Sequence, residues 1–321
     1  MSNVLPPIPV GLSMPFYYAT LQTHWVYVPV PADLAQKALA GTGCEPYIFA
    51  DHKAVAVINF QRYLSTGNSY LGTTSEVEFN LIAFPRSERD RVASSMTLAQ
   101  YAYGEDLEKV IGHFRLHVPA DNSLAVEAGR ELFGEPKFMS HFETAVPSLN
   151  NPPPDSPIKN ELKKVQFQSP TRWKYTVFTM VETVGPDDKP AYQPGEAIYT
   201  LEIDVAGLSP IVANAGEIVE YGHLGLSVKW PLNGQGFAWT EEHPKATGAL
   251  IGGRWSLYGT YATYFLSKDT PYTLAYGSAE ESPMQIDMRR LLHGRRPVLF
   301  QVFESPPAAA ESRAFYVNPP R

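Results

Sequence analysis

Cysteine is almost absent: Cys44 is the single one in 321 residues. One cysteine cannot close an internal disulfide, so a small stapled secreted scaffold is excluded. Cys44 lies in GTGCEPY, just after a helical stretch, and reads as structural. Long apolar runs are missing too. None approaches the roughly 18 residues that a membrane-crossing helix needs. The opening MSNVLPPIPVGLSMPFYY has neither a basic n-region nor a clean apolar core, so no signal peptide is expected and a cytoplasmic location is the default. A basic surplus is also lacking. With 26 Lys and Arg against 33 Asp and Glu, the net charge is −7, which argues against a nucleic-acid surface. The strongest cationic cluster, Arg289, Arg290, Arg295 and Arg296, reads as a solvated face or internal ion pairs, with an anion or subunit contact as the alternative. Common catalytic signatures are absent: no Walker-type loop, no G-x-G-x-x-G after a strand, no G-x-S-x-G and no H-E-x-x-H.

Hydrophobic residues at 44% and charged residues at 18% suit a globular chain with a sizeable core. The apolar segments are short and alternating. AVAVINF (Ala54–Phe60), SEVEFNLIAF (Ser75–Phe84), RWKYTVFTMVETV (Arg172–Val184), AIYTLEIDV (Ala197–Val205), HLGLSVKW (His223–Trp230), RWSLYGTYATYFL (Arg254–Leu266) and PVLFQVFE (Pro297–Glu304) all read as strands. The 29 prolines leave little room for long helices. Three helices are predicted. PADLAQKALAG starts at Pro31 and Asp33 and stops at Gly41. EDLEKVIG (Glu105–Gly112) is the second. The third is NSLAVEAGRELFG, with Asn122 as N-cap, Gly134 as the left-handed stop and Pro136 beyond it. The predicted class is mainly β, with a few helices. Ser148–Glu161 reads as a loop or boundary.

Three groups of polar residues invite a chemical reading. Glu76 and Glu78 alternate with Val77 and Phe79, so they share the polar side of a strand. On an open sheet that side faces water; in a barrel it can face an interior cavity. His113 and His117 in GHFRLH would share one strand face, but a pair without a third ligand is weak metal evidence. Lys137 follows the third helix, amid Phe133, Phe138, Met139 and Phe142. A free lysine has a pKa near 10.4 and is protonated at neutral pH. Burial would lower it, whereas Glu135 and the helix C-terminus oppose that shift. If Lys137 is inside, desolvation is expected to win. If it is outside, its stem lies along the aromatics with the charge in water.

The segment from Asp121 to Lys137, DNSLAVEAGRELFGEPK, resembles the signature of the acetoacetate decarboxylase superfamily, without a gap over 17 positions. In that family a D-N-x-x-A stretch leads to G-R-E-L and then to Pro-Lys, whose lysine forms the Schiff base. Gly72-Thr-Thr-Ser-Glu76-Val is similar to the family's glycine-to-glutamate segment. The resemblance spans roughly Phe16 to Glu143. It implies a closed antiparallel β-barrel or cone around an internal cavity, as one domain over 1–321 with family-atypical additions after about 150.

What the resemblance implies for the chemistry is a lyase in which Lys137 forms a Schiff base with a keto acid or related carbonyl compound, most simply a decarboxylation. Glu76 would orient the substrate or move a proton. Arg130 and Glu131 would support the helix end, and Phe133 and Phe138 would line the pocket. No cofactor or metal is implied, the partner is a small carbonyl substrate, and a homo-oligomer is expected. Two departures stand out. The family's second lysine is Phe138 here, so the cation that would help lower the first lysine is gone. The family's N-terminal arginine has no counterpart between Phe16 and Val30; Arg62 and Arg115 are the candidates to replace it. Aldol or dehydration chemistry on the same lysine, or a β-barrel that binds without turnover, are the alternatives.

Overall fold

The structure is a computed structural model, and it describes residues 5–66, 73–92, 95–106, 108–147, 171–185, 190–224, 249–304 and 309–317. The segment Ser148–Glu161, Gly72 and most of His223–Trp230 lie outside the described residues. The larger sheet holds β1 (Phe16–Val30), β2 (Cys44–Pro46), β3 (Ala54–Thr66), β4 (Thr73–Pro85), β5 (Gly112–Ala120), β6 (Lys137–Met139), β10 (Ile211–Leu224), β11 (Ala249–Phe265), β13 (Leu299–Glu304), β14 (Ala309–Glu311) and β15 (Phe315–Tyr316). Its main order is β2-β4-β3-β1-β13-β11-β10-β5-β6, and β4 pairs with β5 as well. A second sheet has the order β12-β9-β8-β7, formed by β7 (His141–Ala145), β8 (Arg172–Val184), β9 (Pro190–Asp204) and β12 (Tyr272–Tyr276).

The expected closed antiparallel barrel or cone is corrected by this arrangement. The fold is mixed α/β, dominated by sheet, and not one antiparallel barrel. The strands divide between two sheets, one running from β2 to β6 with the extra β4–β5 pairing and the other from β12 to β7. The larger sheet is mixed, since β5 runs parallel to β6 and to β10. The β5–β6 join is parallel because the helix α3 (Ser123–Phe133) carries the chain from the end of β5 back to the start of β6. Such a crossover joins parallel strands, whereas a hairpin joins antiparallel ones.

Among the described residues three more α-helices flank the sheets: α1 (Ala32–Leu39), α2 (Leu98–Ala102) and α4 (Pro283–Leu292). The helix expected over Glu105–Gly112 does not form. The described part of that segment is a turn and extended chain, with Lys109 in the left-handed region at φ 50°. The helix instead lies earlier, at α2, where Thr97 and Gln100 form a reciprocal capping box. In α4, Ser282 caps the start and Pro283 opens the first turn.

One face of the large sheet carries Val26, Val28, Ala56, Ile58, Phe79, Leu81, Phe114 and Leu116, and it packs on Trp173, Tyr175, Ile198 and Leu201 of the second sheet. The other face carries Leu21, Trp25, Tyr27, Val57, Ile82, Leu257 and Phe303. Both faces are therefore covered. That is why β4 from Thr74 onward and β5 throughout are buried, polar residues included. Of the two readings left open for the Glu76 side of β4, water or interior, the side chains take the interior one. Among the described residues no helix is long and apolar enough to cross a membrane. The C-terminal arginines are spread over local contacts. Arg289 lies over the Tyr276 ring at 4.4 Å, and Arg296 donates to the Thr270 carbonyl at 2.5 Å.

Candidate functional site

The site is built where α3 hands the chain to β6. Asn122 caps α3, its side-chain oxygen accepting from the Leu124 and Ala125 backbone N–H groups at 3.0 and 3.3 Å. Gly134 ends the helix in the left-handed region at φ 59°, a conformation that glycine adopts without strain. A methyl group there would also run into the His223 backbone. The chain then turns through Glu135 and Pro136 into Lys137. Arg130, buried on the last turn, fixes the exit: its Nε donates to the Lys137 carbonyl at 2.6 Å. Burial pulls the Arg130 guanidinium down to about 10.

Lys137 is 5% exposed. Its Nζ lies 2.7 Å from Glu135 Oε2 and 2.8 Å from Glu76 Oε2. Glu76 comes from β4 and is equally buried. It accepts from Tyr63 OH at 2.9 Å and Gln61 Nε2 at 3.3 Å. Glu135 also binds Arg115 Nη1 through Oε1 at 2.5 Å, and the same guanidinium reaches Glu220 Oε2 at 2.9 Å. Trp255 Nε1 donates to Glu220 Oε2 at 2.7 Å. One connected chain of charges thus runs from Glu76 through Lys137, Glu135 and Arg115 to Glu220.

Gly129 makes this crossing possible. It sits on the α3 face over which the Glu135 and Lys137 side chains pass. A methyl group at that position would collide with Glu135 Oε2 and Lys137 Cδ. The glycine of G-R-E-L is therefore needed for close approach, since its helical backbone asks for no unusual torsion.

The balance of forces on Lys137 is the reverse of the sequence expectation. Desolvation does act to lower its pKa, as expected of a buried amine. The adjacent Glu135 and Glu76 carboxylates, both in ion-pair contact with Nζ, outweigh it and hold the amine above its ordinary range. Glu135 feels desolvation upward as well, but Lys137 and Arg115 bring it below the usual carboxylate range. In Glu76 burial wins over Lys137, with Glu135 and Glu78 adding to it, and the carboxyl is raised to about 7. The cluster rests as an ammonium held by one ionised carboxylate and a second one poised near neutrality.

The other expected residues fall into place as follows. Phe138 is adjacent to Lys137 on β6 and points to the opposite side, into the core with Phe60, Trp173 and Tyr175. Phe133 packs with Ala128, Leu132, Ile251 and Ala314. Glu131 is half-buried on α3. Arg62 is half-buried and donates to Thr144 Oγ1 at 3.1 Å. His113 and His117 do not share a face. The pairing of β4 with β5 shifts between Phe79 and Asn80, so His117 turns to Asp287 of α4 at 2.8 Å, while His113 stays on the side of Arg115. Cys44 is buried and burial raises its thiol, consistent with a structural role. The sequence reading missed Glu220 and Trp255, which come from distant strands. It also gave no part to Asn59, Gln61 and Tyr63, although their alternation on β3 matches that of Glu76 and Glu78 on β4.

No family model and no curated protein matches the sequence. Solved structures do match in shape. An acetoacetate decarboxylase-like enzyme from Sphingomonas wittichii RW1 is 12% identical with a TM-score of 0.52, over 95% of this chain and 92% of that one. Acetoacetate decarboxylase from Legionella pneumophila is 10% identical with a TM-score of 0.53, over 98% and 92%. The fold is acetoacetate decarboxylase-like. A further acetoacetate decarboxylase structure agrees, at 11% identity and a TM-score of 0.51 over 96% and 91% of the two chains. At this identity the acetoacetate decarboxylase-like likeness is one of chain path across nearly the whole length.

Proposed function

We propose that the protein is a lyase that acts on a keto acid or related carbonyl compound through a Schiff base on Lys137. The observation that carries this reading is the lysine amine buried between Glu76 and Glu135 in an acetoacetate decarboxylase-like fold. A raised lysine pKa at first sight opposes nucleophilic attack. The same two carboxylates, however, favour any cation at Nζ, and an iminium is such a cation. The step that needs help is the loss of the first proton. Glu76, near 7, is matched to receive it.

The neutral amine then adds to the carbonyl carbon. The carbonyl oxygen takes up two protons and leaves as water. The iminium accepts the electron pair of the bond that breaks, releasing CO₂ from a β-keto acid. The enamine left behind is protonated at carbon, and water hydrolyses the product iminium to restore the amine. Glu76 and Lys137 are the catalytic residues of this scheme. Arg130 positions the lysine through its carbonyl, and Glu135 stabilises the cationic states. The lysine is the electron sink, so the scheme calls for no organic cofactor. The remainder of the reading is one domain over 1–321 and a homo-oligomer in the cytoplasm.

A second reading, aldol cleavage or dehydration on the same lysine, is favoured by one observation. The Arg115 guanidinium is held by Glu135 and Glu220, and Arg62 is turned to Thr144, so neither offers its charge to a substrate carboxylate at Nζ. Turnover of a panel of β-keto acids and hydroxyketones separates the two, with CO₂ and aldehyde release measured for wild type and Lys137→Met. Release that disappears in the variant is expected. Undiminished release in the variant overturns the role of the lysine, and a ligand retained with no release in either protein points to a binder.

A further inference from the structure

A second buried cluster lies beside the charge chain. Glu220 on β10 and His113 on β5 are direct neighbours across the parallel pairing of these strands. Glu78 reaches the same spot from β4. One ligand-type atom from each of the three lies within 4.8 Å of the others, and all three residues are buried. The three come from three strands, and nothing in the lysine chemistry uses Glu78 or His113.

We propose that Glu78, His113 and Glu220 bind a divalent transition-metal ion. The first support is Glu78. Its side chain is wholly buried, and among the described residues its hydrogen-bond partners are neutral amides: Gln61 Nε2 at 3.2 Å, Asn80 Nδ2 at 2.9 Å and Asn59 Nδ2 at 3.4 Å. A buried carboxylate is ordinarily paired with a cation or coordinates a metal. Lys137 and Arg115 are already engaged with Glu76, Glu135 and Glu220. The second, independent support is His113. Its Nδ1 is buried and has no hydrogen-bond partner among the described residues. The His113 ring, 1% exposed and with this nitrogen unpartnered, stands in one cluster with the two carboxylates.

The surrounding contacts have the form of an outer shell. Amides hold Glu78, and Trp255 and Arg115 hold Glu220, so each carboxylate is oriented by its neighbours. Bonds of about 2.0–2.2 Å set ligand separations of roughly 3–4 Å, so atoms that already lie within 4.8 Å of one another close by at most roughly 1–2 Å on binding. One nitrogen and two oxygens suit zinc or manganese better than magnesium, which prefers oxygen alone. Access exists as well: a cavity of about 50 Å³, bounded by Tyr101, Asp106, Val219 and Gln301, reaches His113.

The test uses the full chain stripped with a chelator and then equilibrated with Zn²⁺ or Mn²⁺. About one ion per chain is expected after dialysis, resistant to excess Mg²⁺. His113→Gln should weaken binding by at least about tenfold, whereas His141→Gln, on β7, should leave it unchanged. Pulsed electron paramagnetic resonance of the Mn²⁺-loaded wild type should show coupling to one imidazole nitrogen, a readout that does not depend on the variant folding. Absence of a retained ion, equal affinity in His113→Gln, or bound Mn²⁺ without nitrogen coupling would each overturn the proposal.

Discussion

Removing the charge on Lys137 tests the electrostatics of the site without any substrate. Nζ sits 2.7 and 2.8 Å from two carboxylate oxygens, and all three side chains are at most 7% exposed. At an effective dielectric near 20, each contact is worth on the order of 5 kcal/mol of gross attraction, which desolvation partly cancels. Lys137→Met keeps the length and the apolar stem but leaves Glu76 and Glu135 without their ammonium. Breaking a buried pair in this way costs about 3–5 kcal/mol. Glu135→Gln should cost a similar amount, because Lys137 and Arg115 then face one carboxylate fewer. The double variant should cost clearly less than the sum, with a coupling of about 2–3 kcal/mol. Urea denaturation of the four proteins supplies the numbers. The Lys137→Met penalty should also be larger at pH 8 than at pH 6, since Glu76, freed of the lysine, takes up a proton more readily. Additive effects, within about 0.5 kcal/mol, would show that the two groups do not sense each other and would refute the ion-pair account.

Gly129→Ala should destabilise the fold by about 1–3 kcal/mol through overpacking and, unlike an ordinary helix alanine, push Glu135 and Lys137 apart; thermal denaturation and the reactivity of Lys137 report the two effects. Asn122→Ala removes the cap that starts α3 and should cost about 1 kcal/mol, read as a lower thermal midpoint. His24 gives a pH dependence. Burial first, and then Arg62, lower it from 6.5 to about 3, so the unfolded chain binds its proton while the native one does not. Stability from this group is complete above 6.5 and is lost as pH falls towards 3, by up to about 5 kcal/mol. Denaturant midpoints at pH 7 and 4 should therefore differ less in His24→Gln than in wild type, and an equal loss in both would contradict the assignment.

The helix that presents the lysine was readable letter by letter. Asn122, Gly134 and Pro136 each act locally, so a local pattern suffices to find them. The alternation on β4 was equally plain, but its meaning was not. Whether Glu76 and Glu78 face water or an interior depends on what covers the sheet, and that is decided by strands more than a hundred residues away. The same limit hid Glu220 and Trp255; the closed antiparallel barrel was implied by the family resemblance alone, while the residues themselves read only as mainly β. Pairing partners, and the parallel joins of β5, leave no mark within a strand. The lysine pKa failed for another reason. The sequence sets Lys137 among apolar residues and two positions from Glu135, but which of these prevails turns on separations of 2.7 and 2.8 Å to two carboxylates, one of them from a strand 61 positions earlier. His117 was misassigned by a single irregular residue pairing, which reverses the face of everything beyond it.

The central claim is that Lys137 forms a covalent iminium with a carbonyl substrate. Incubation with small ketones, keto acids and aldehydes, followed by borohydride reduction and peptide mass mapping, measures that bond itself. The account predicts a stable adduct on Lys137, abolished by Lys137→Met and reduced by Glu76→Gln. A panel that labels surface lysines alone and leaves Lys137 unmodified would contradict it.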